Sequence, residues 1–226
     1  MDFEKLISGY KKEIIPQFEM LREKETNPQQ RETFEQALTI LKTNLRSLEI
    51  QKRLLDLYIN EEYFGYVCFL SQLVEYKTRE SIVQYQEIRA LLERPVVSEG
   101  DLKRATLGSL ISKYKEFIKD EGLIEKMKSF NKQRRSAIHN LFDPTVTVER
   151  VESEIKNGLI PNTVYGEIIN PITEYETVLL VELNKLKHGE QVSGLQGKVL
   201  RYLETSCGIN IAESRKNVDF TADMTF

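Results

Sequence analysis

Apolar positions recur at three- and four-residue intervals through most of the chain, the spacing of helices that bury one face. Phe3, Leu6, Ile7, Tyr10, Ile14, Phe18 and Leu21 predict a helix over 3–24. A bend is expected at Pro16, because proline lacks the amide donor of an internal turn. Asn27-Pro28 then supplies an N-cap acceptor followed by proline at the first helical position. It opens a long helix on Phe34, Leu38, Leu41, Leu45, Leu48, Leu55 and Ile59, spaced for packing against another long helix. A second long pattern covers 61–93, on Tyr63, Val67, Leu70, Val74, Ile82, Tyr85, Ile88 and Leu92, and Arg94-Pro95 ends it. A break is expected at Asn60, since one helix through both patterns would be far longer than usual.

Ser98–Asp101 is a polar connector with N-cap residues. The next pattern predicts a helix over 101–120 on Leu102, Ala105, Leu107, Leu110, Ile111, Tyr114, Phe117 and Ile118, with Gly122 placed to end it. A helix over 123–142 follows, stopped by Asp143-Pro144, and then a short one from Val148 to Lys156, closed by Asn157-Gly158. Asn170-Pro171 repeats the helix-start signal before 172–186. After a short helix near 193–205, a two-residue alternation begins in Ile209/Ile211 and in Val218, Phe220, Ala222, Met224 and Phe226. Period two signals strands, but two short strands are marginal alone, so the tail is expected to lie extended on the body or to be partly disordered, the sharper alternative being an arm that adds to a neighbouring subunit. The pattern thus predicts an all-α fold: a helical bundle with two long antiparallel helices plus shorter helices, and an extended or short-stranded C-terminal tail. The expected division is an N-terminal helix at 1–26, a bundle at 27–190 and a C-terminal helix and tail at 191–226.

Composition narrows the function classes. With 226 residues, 40% hydrophobic and 30% charged, the chain can build a real core and does not read as disordered. A net charge of −3 argues against bulk coating of nucleic acid but leaves room for a local basic site. Cys68 and Cys207 are far apart and have no metal-ligand spacing, which suits reduced thiols in a cytoplasmic protein. No apolar run approaches a bilayer span, and no signal-peptide core is present, so neither secretion nor membrane association is expected.

Candidate chemistry concentrates in 123–142. Leu123, Met127, Phe130, Ala137, Ile138 and Leu141 form the apolar stripe, and Arg134 falls near its middle. A guanidinium there is costly unless it is paired or faces a site. His139 is one of only two histidines, and Lys126, Lys128, Lys132, Arg134 and Arg135 share the stretch with a single acid, Glu125. Such a patch suits an anionic partner. The plainer alternative is a core helix whose Arg134 pairs with a neighbouring carboxylate and whose His139 is a surface residue.

Arg134-Arg135-Ser136-Ala137-Ile138-His139-Asn140 resembles the motif of the higher-eukaryote and prokaryote nucleotide-binding (HEPN) superfamily, an Arg, four to six residues and a His on a helix of a small all-α domain. Asn140 suits the position after the His. Thr106–Ile118 is similar to the helix that precedes the motif helix in bacterial members. The likeness is recognisable in residues over 106–143 and in architecture over 35–185. It implies a metal-independent RNA endonuclease without cofactor, belonging to a toxin–antitoxin or phage-defence setting. The implied partners are RNA, a second copy of the chain in a homodimer with facing motifs, and an antitoxin or other defence-system protein. Carried onto this chain, Arg134 would clamp phosphate, His139 would serve as acid/base, and Arg135, Asn140 and Lys132 would contact RNA. Arg135 departs from the Asn, Asp or His usual after the motif Arg. That keeps open a non-catalytic RNA-binding or dimerisation module, or a helical scaffold.

Helix geometry adds a condition. Five residues turn through about 500°, leaving Arg134 and His139 roughly 140° apart. Either the helix breaks locally or a second copy completes the site. Arg135 and His139, at i and i+4, share one stripe instead and are the alternative working pair. His188, in a last helical turn beside Lys185 and Lys187, is expected to serve the helix end. Tyr58, Tyr63, Tyr66, Tyr76 and Tyr85 are expected in the core or the helix seams.

Overall fold

The computed structural model describes residues 2–96, 98–188 and 210–222, and within them the chain is all-α. No described helix is long and apolar enough to cross a membrane. Two compact units divide at 62/63.

The first unit holds α1 (Phe3–Gly9), a π turn (Tyr10–Ile14), α2 (Ile15–Lys24) and α3 (Pro28–Ile59). Asn27 caps α3 as expected, its Oδ1 accepting from the Gln30 amide at 3.4 Å. Ion pairs join Arg22 to Glu35 at 3.5 Å, Lys42 to Glu19 at 2.8 Å and Lys11 to Glu49 at 2.6 Å. One number falls as the other rises, so α1 and α2 run antiparallel to α3. Ile15, Leu38, Leu54 and Leu57 are buried, and the N-terminal segment packs on α3. Just before Pro16, where a bend was expected, the chain makes the π turn, with the Ile15 amide donating to the Tyr10 carbonyl. In a regular α-turn the proline ring would crowd the carbonyl four residues back, and the wider turn relieves this.

The second unit holds α4 (Tyr63–Leu91), α5 (Glu99–Arg104), α6 (Leu107–Phe117), α7 (Glu121–Leu141), α8 (Val148–Gly158), α9 (Pro161–Val164), a second π turn (Tyr165–Ile169), α10 (Asn170–His188) and α11 (Ile211–Lys216). α4 is its axis. Tyr66, Leu70, Val74, Ile82, Tyr85 and Ile88 are fully buried, against α10 on one side and α6 on the other. Lys77 reaches Glu176 at 2.7 Å and Glu87 reaches Lys187 at 3.2 Å. Here the numbers rise together, so α4 and α10 run parallel. Tyr85 stacks on Phe117 with centroids 4.1 Å apart. Tyr63 is buried as well, whereas Tyr76 is 56% exposed.

Several boundaries differ from expectation. The helix predicted over 101–120 is two helices, because Thr106 turns out of α5 and caps α6, accepting from the Ser109 amide at 3.4 Å. Gly122 ends nothing. It lies in the first turn of α7, whose cap is Asp120, accepting from the Leu123 amide at 2.9 Å. Asn170-Pro171 does not start a helix: the chain is already helical from Pro161, and the π turn before Pro171 accommodates the ring as it does at Pro16.

Ile211 belongs to a helix and not to a strand. Beyond it the chain extends along the body, as Val218 makes a single antiparallel bridge with Ile118. The Tyr85 hydroxyl donates to the Asp219 and Ala222 carbonyls at 2.9 and 3.0 Å. The helix expected near 193–205, and Ile209, Met224 and Phe226, lie outside the described residues.

Candidate functional site

α7 runs without interruption from Glu121 to Leu141. Its rotation is fixed by Leu123, Ile124, Met127, Phe130 and Ala137, all buried. Its start is fixed twice. One Asp120 oxygen caps the Leu123 amide, and the other accepts from the Tyr175 hydroxyl of α10 at 2.9 Å. On the α6 side the approach is close: a Cβ on Gly108 would lie 3.3 Å from Asn131 Nδ2.

Arg134 turns towards this packed side. It is half-buried, and its Nε donates to Asn131 Oδ1 at 3.0 Å. Burial pulls its pKa below the ordinary arginine value; Glu75 on α4 acts against that, and the adjacent Arg135 adds to it. The group stays charged at any physiological pH. Glu75 is itself paired with Arg79 at 2.7 Å. Because α7 is unbroken, Arg134 and His139 address faces about 140° apart, and one chain alone does not aim both at one phosphate.

The opposite face carries a row of basic side chains. Lys132, Arg135 and His139 are exposed and have no hydrogen-bond or ion-pair partner among the described residues. Lys128, also exposed, precedes them on the same stripe and pairs with Glu125 at 2.7 Å. Steps of four, three and four residues keep all four within about 60° around the axis, over about 16 Å of its length. Asn140 stands to one side, its amide donating to Glu154 Oε2 on α8 at 3.2 Å. Glu154 also pairs with Arg150 at 3.5 Å, so α8 borders the row with an acid.

The fold therefore brings Lys132, Arg135 and His139 together and sets Arg134 and Asn140 apart from them. Glu75, Asn131 and Glu154 escape sequence reasoning. Asn131 was signalled by its i, i+3 relation to Arg134, but nothing local marks the other two. Inclusion of Lys128 in the row was legible from spacing alone. His188 ends α10, and its side chain lies outside the described residues. Among the described residues no group of three or more His, Cys, Asp or Glu side chains is placed to hold a metal ion. No protein-family model, curated protein or solved structure matches the chain.

Proposed function

We propose that this chain is a metal-independent RNA endonuclease of the HEPN type that works through the exposed face of α7 as a homodimer. The observation that carries the reading is the row Lys128, Lys132, Arg135 and His139 on one face of an unbroken helix, in a chain whose net charge is −3. Three cations and an imidazole aligned on an otherwise acidic protein form a local anion-binding surface.

The chemistry follows from the groups. A neutral His139 takes the proton of a ribose 2′-OH, and the freed oxygen attacks the adjacent phosphorus. Negative charge builds on the non-bridging oxygens, where the planar fork of Arg135 grips two of them. The bond from phosphorus to the 5′-oxygen breaks, and that oxygen takes a proton from the imidazolium of the partner subunit's His139. The products are a 2′,3′-cyclic phosphate and a 5′-OH end. Imidazole suits both proton transfers because its ordinary pKa lies near neutrality. In this arrangement Arg135 takes the phosphate role that the motif spacing gives to Arg134. A setting in defence or in a toxin–antitoxin pair belongs to the same reading.

A second reading is favoured by one observation: Arg134 is engaged with Asn131 and faces inward. A family motif arginine so placed suits a non-catalytic RNA-binding or dimerisation module. Incubation with single-stranded RNA in EDTA separates the two. Under the first reading wild type cuts, and His139→Ala and Arg135→Ala lose activity by at least about a hundredfold. Binding without cutting by wild type selects the second reading, and equal cutting by wild type and His139→Ala contradicts the first.

A further inference from the structure

Phe142 is the most exposed large apolar side chain among the described residues, at 78%. It is the residue that closes α7, and its amide donates to the His139 carbonyl at 3.1 Å. The chain beyond is also fixed, since Asp143 accepts from the Thr145 amide and hydroxyl at 2.9 and 2.7 Å. The phenyl ring thus sits on an anchored backbone one turn beyond the imidazole. By helical rotation it lies within about 60° of His139, on the side of the cationic row. Among the described residues nothing covers it.

Resting on the RNA reading above, we infer that Phe142 is a stacking platform for one unpaired base of the substrate. It would hold the nucleotide next to the phosphate that His139 addresses, and it would restrict the substrate to single-stranded RNA. The cations bind the backbone whatever its sequence or pairing. An aromatic face beside them adds the contact that discriminates, because only an unpaired base offers its ring face. Phe142 would act by positioning, and it transfers no proton.

The chain contains no tryptophan, so Phe142→Trp introduces a single indole whose emission reports stacking directly. The measurement uses a His139→Ala background, so that the RNA stays whole, with single-stranded oligoadenylate and a duplex of equal length as probes. Quenching of Phe142→Trp emission by the single strand and not by the duplex is expected. Phe142→Ala should lower affinity for the single strand about tenfold while leaving the salt dependence unchanged. If the His139→Ala chain binds the oligonucleotide but either the quenching or the affinity loss is missing, Phe142 is not a platform and the RNA reading survives. Equal quenching by the duplex overturns the single-strand restriction. Absence of RNA binding by every variant overturns this inference together with the reading on which it rests.

Discussion

Arg134 and Arg135 are neighbours in sequence and opposites in circumstance: one is half-buried against Asn131, the other stands in solvent. Counting residues from the apolar stripe was enough to put Arg135 and His139 on a common face. It was not enough to find that the Glu75 carboxylate acts on Arg134 electrostatically, because only the folding of the chain brings α4 near α7. Asp120 combines a local signal, passed over when the helix was expected to run through to 120, with a remote partner. Its acceptor role at the start of α7 is a short-range matter, while the Tyr175 hydroxyl on its other oxygen comes from a helix distant in sequence. Asp120→Ala should cost about 1–2 kcal/mol, the usual value of a helix cap, read as a lowered chemical-denaturation midpoint. Asp120→Asn should recover most of it, since the amide oxygen still accepts. An alanine variant as stable as wild type would mean that the cap contributes nothing to holding α7.

Elements show where local signals are overruled. Asn27-Pro28 and Asn170-Pro171 carry the same dipeptide. The first begins a helix; the second lies inside one, because Pro161 had already started it and a π turn made room for the later ring. The parallel pairing of α4 and α10 was not readable, since it depends on which of several apolar faces meet. Its Lys77–Glu176 pair gives a pH test. Burial pushes the Glu176 carboxyl up from the ordinary 4.5, with Lys77 opposing and Glu80 reinforcing the shift. A carboxyl raised on folding favours the folded state most when protonated. That contribution is full below the ordinary value and is lost as pH rises through the raised one. Glu176→Gln, uncharged throughout, should therefore gain on wild type in thermal stability as pH climbs from 4 towards neutrality. A constant difference across that window would show that Lys77 fully compensates the buried charge.

At the scale of the whole molecule, the all-α class was legible from periodicity alone, whereas the division at 62/63 was not, because contacts and not composition decide it. The continuity of α7 also bears on assembly. A site that needs two imidazoles requires two chains, and a mixed dimer of wild type and His139→Ala holds only one of them. After exchange of subunits such mixed dimers should be as inactive as the His139→Ala homodimer, so cleavage should fall with the square of the wild-type fraction. A fall in simple proportion to that fraction would place both proton transfers in one chain.

The proposed function requires that the exposed face of α7 meet an RNA backbone. The salt dependence of RNA affinity tests it most directly, measured on the His139→Ala chain with single-stranded RNA. For a single strand, log K falls with log salt by about 0.7 per phosphate neutralised, so Lys128, Lys132 and Arg135 predict a slope of about −2 for each subunit in contact with the strand. Lys132→Ala and Arg135→Ala should each make it shallower by roughly 0.7 per subunit in contact. No measurable affinity, or a slope that neither substitution alters, would contradict the claim.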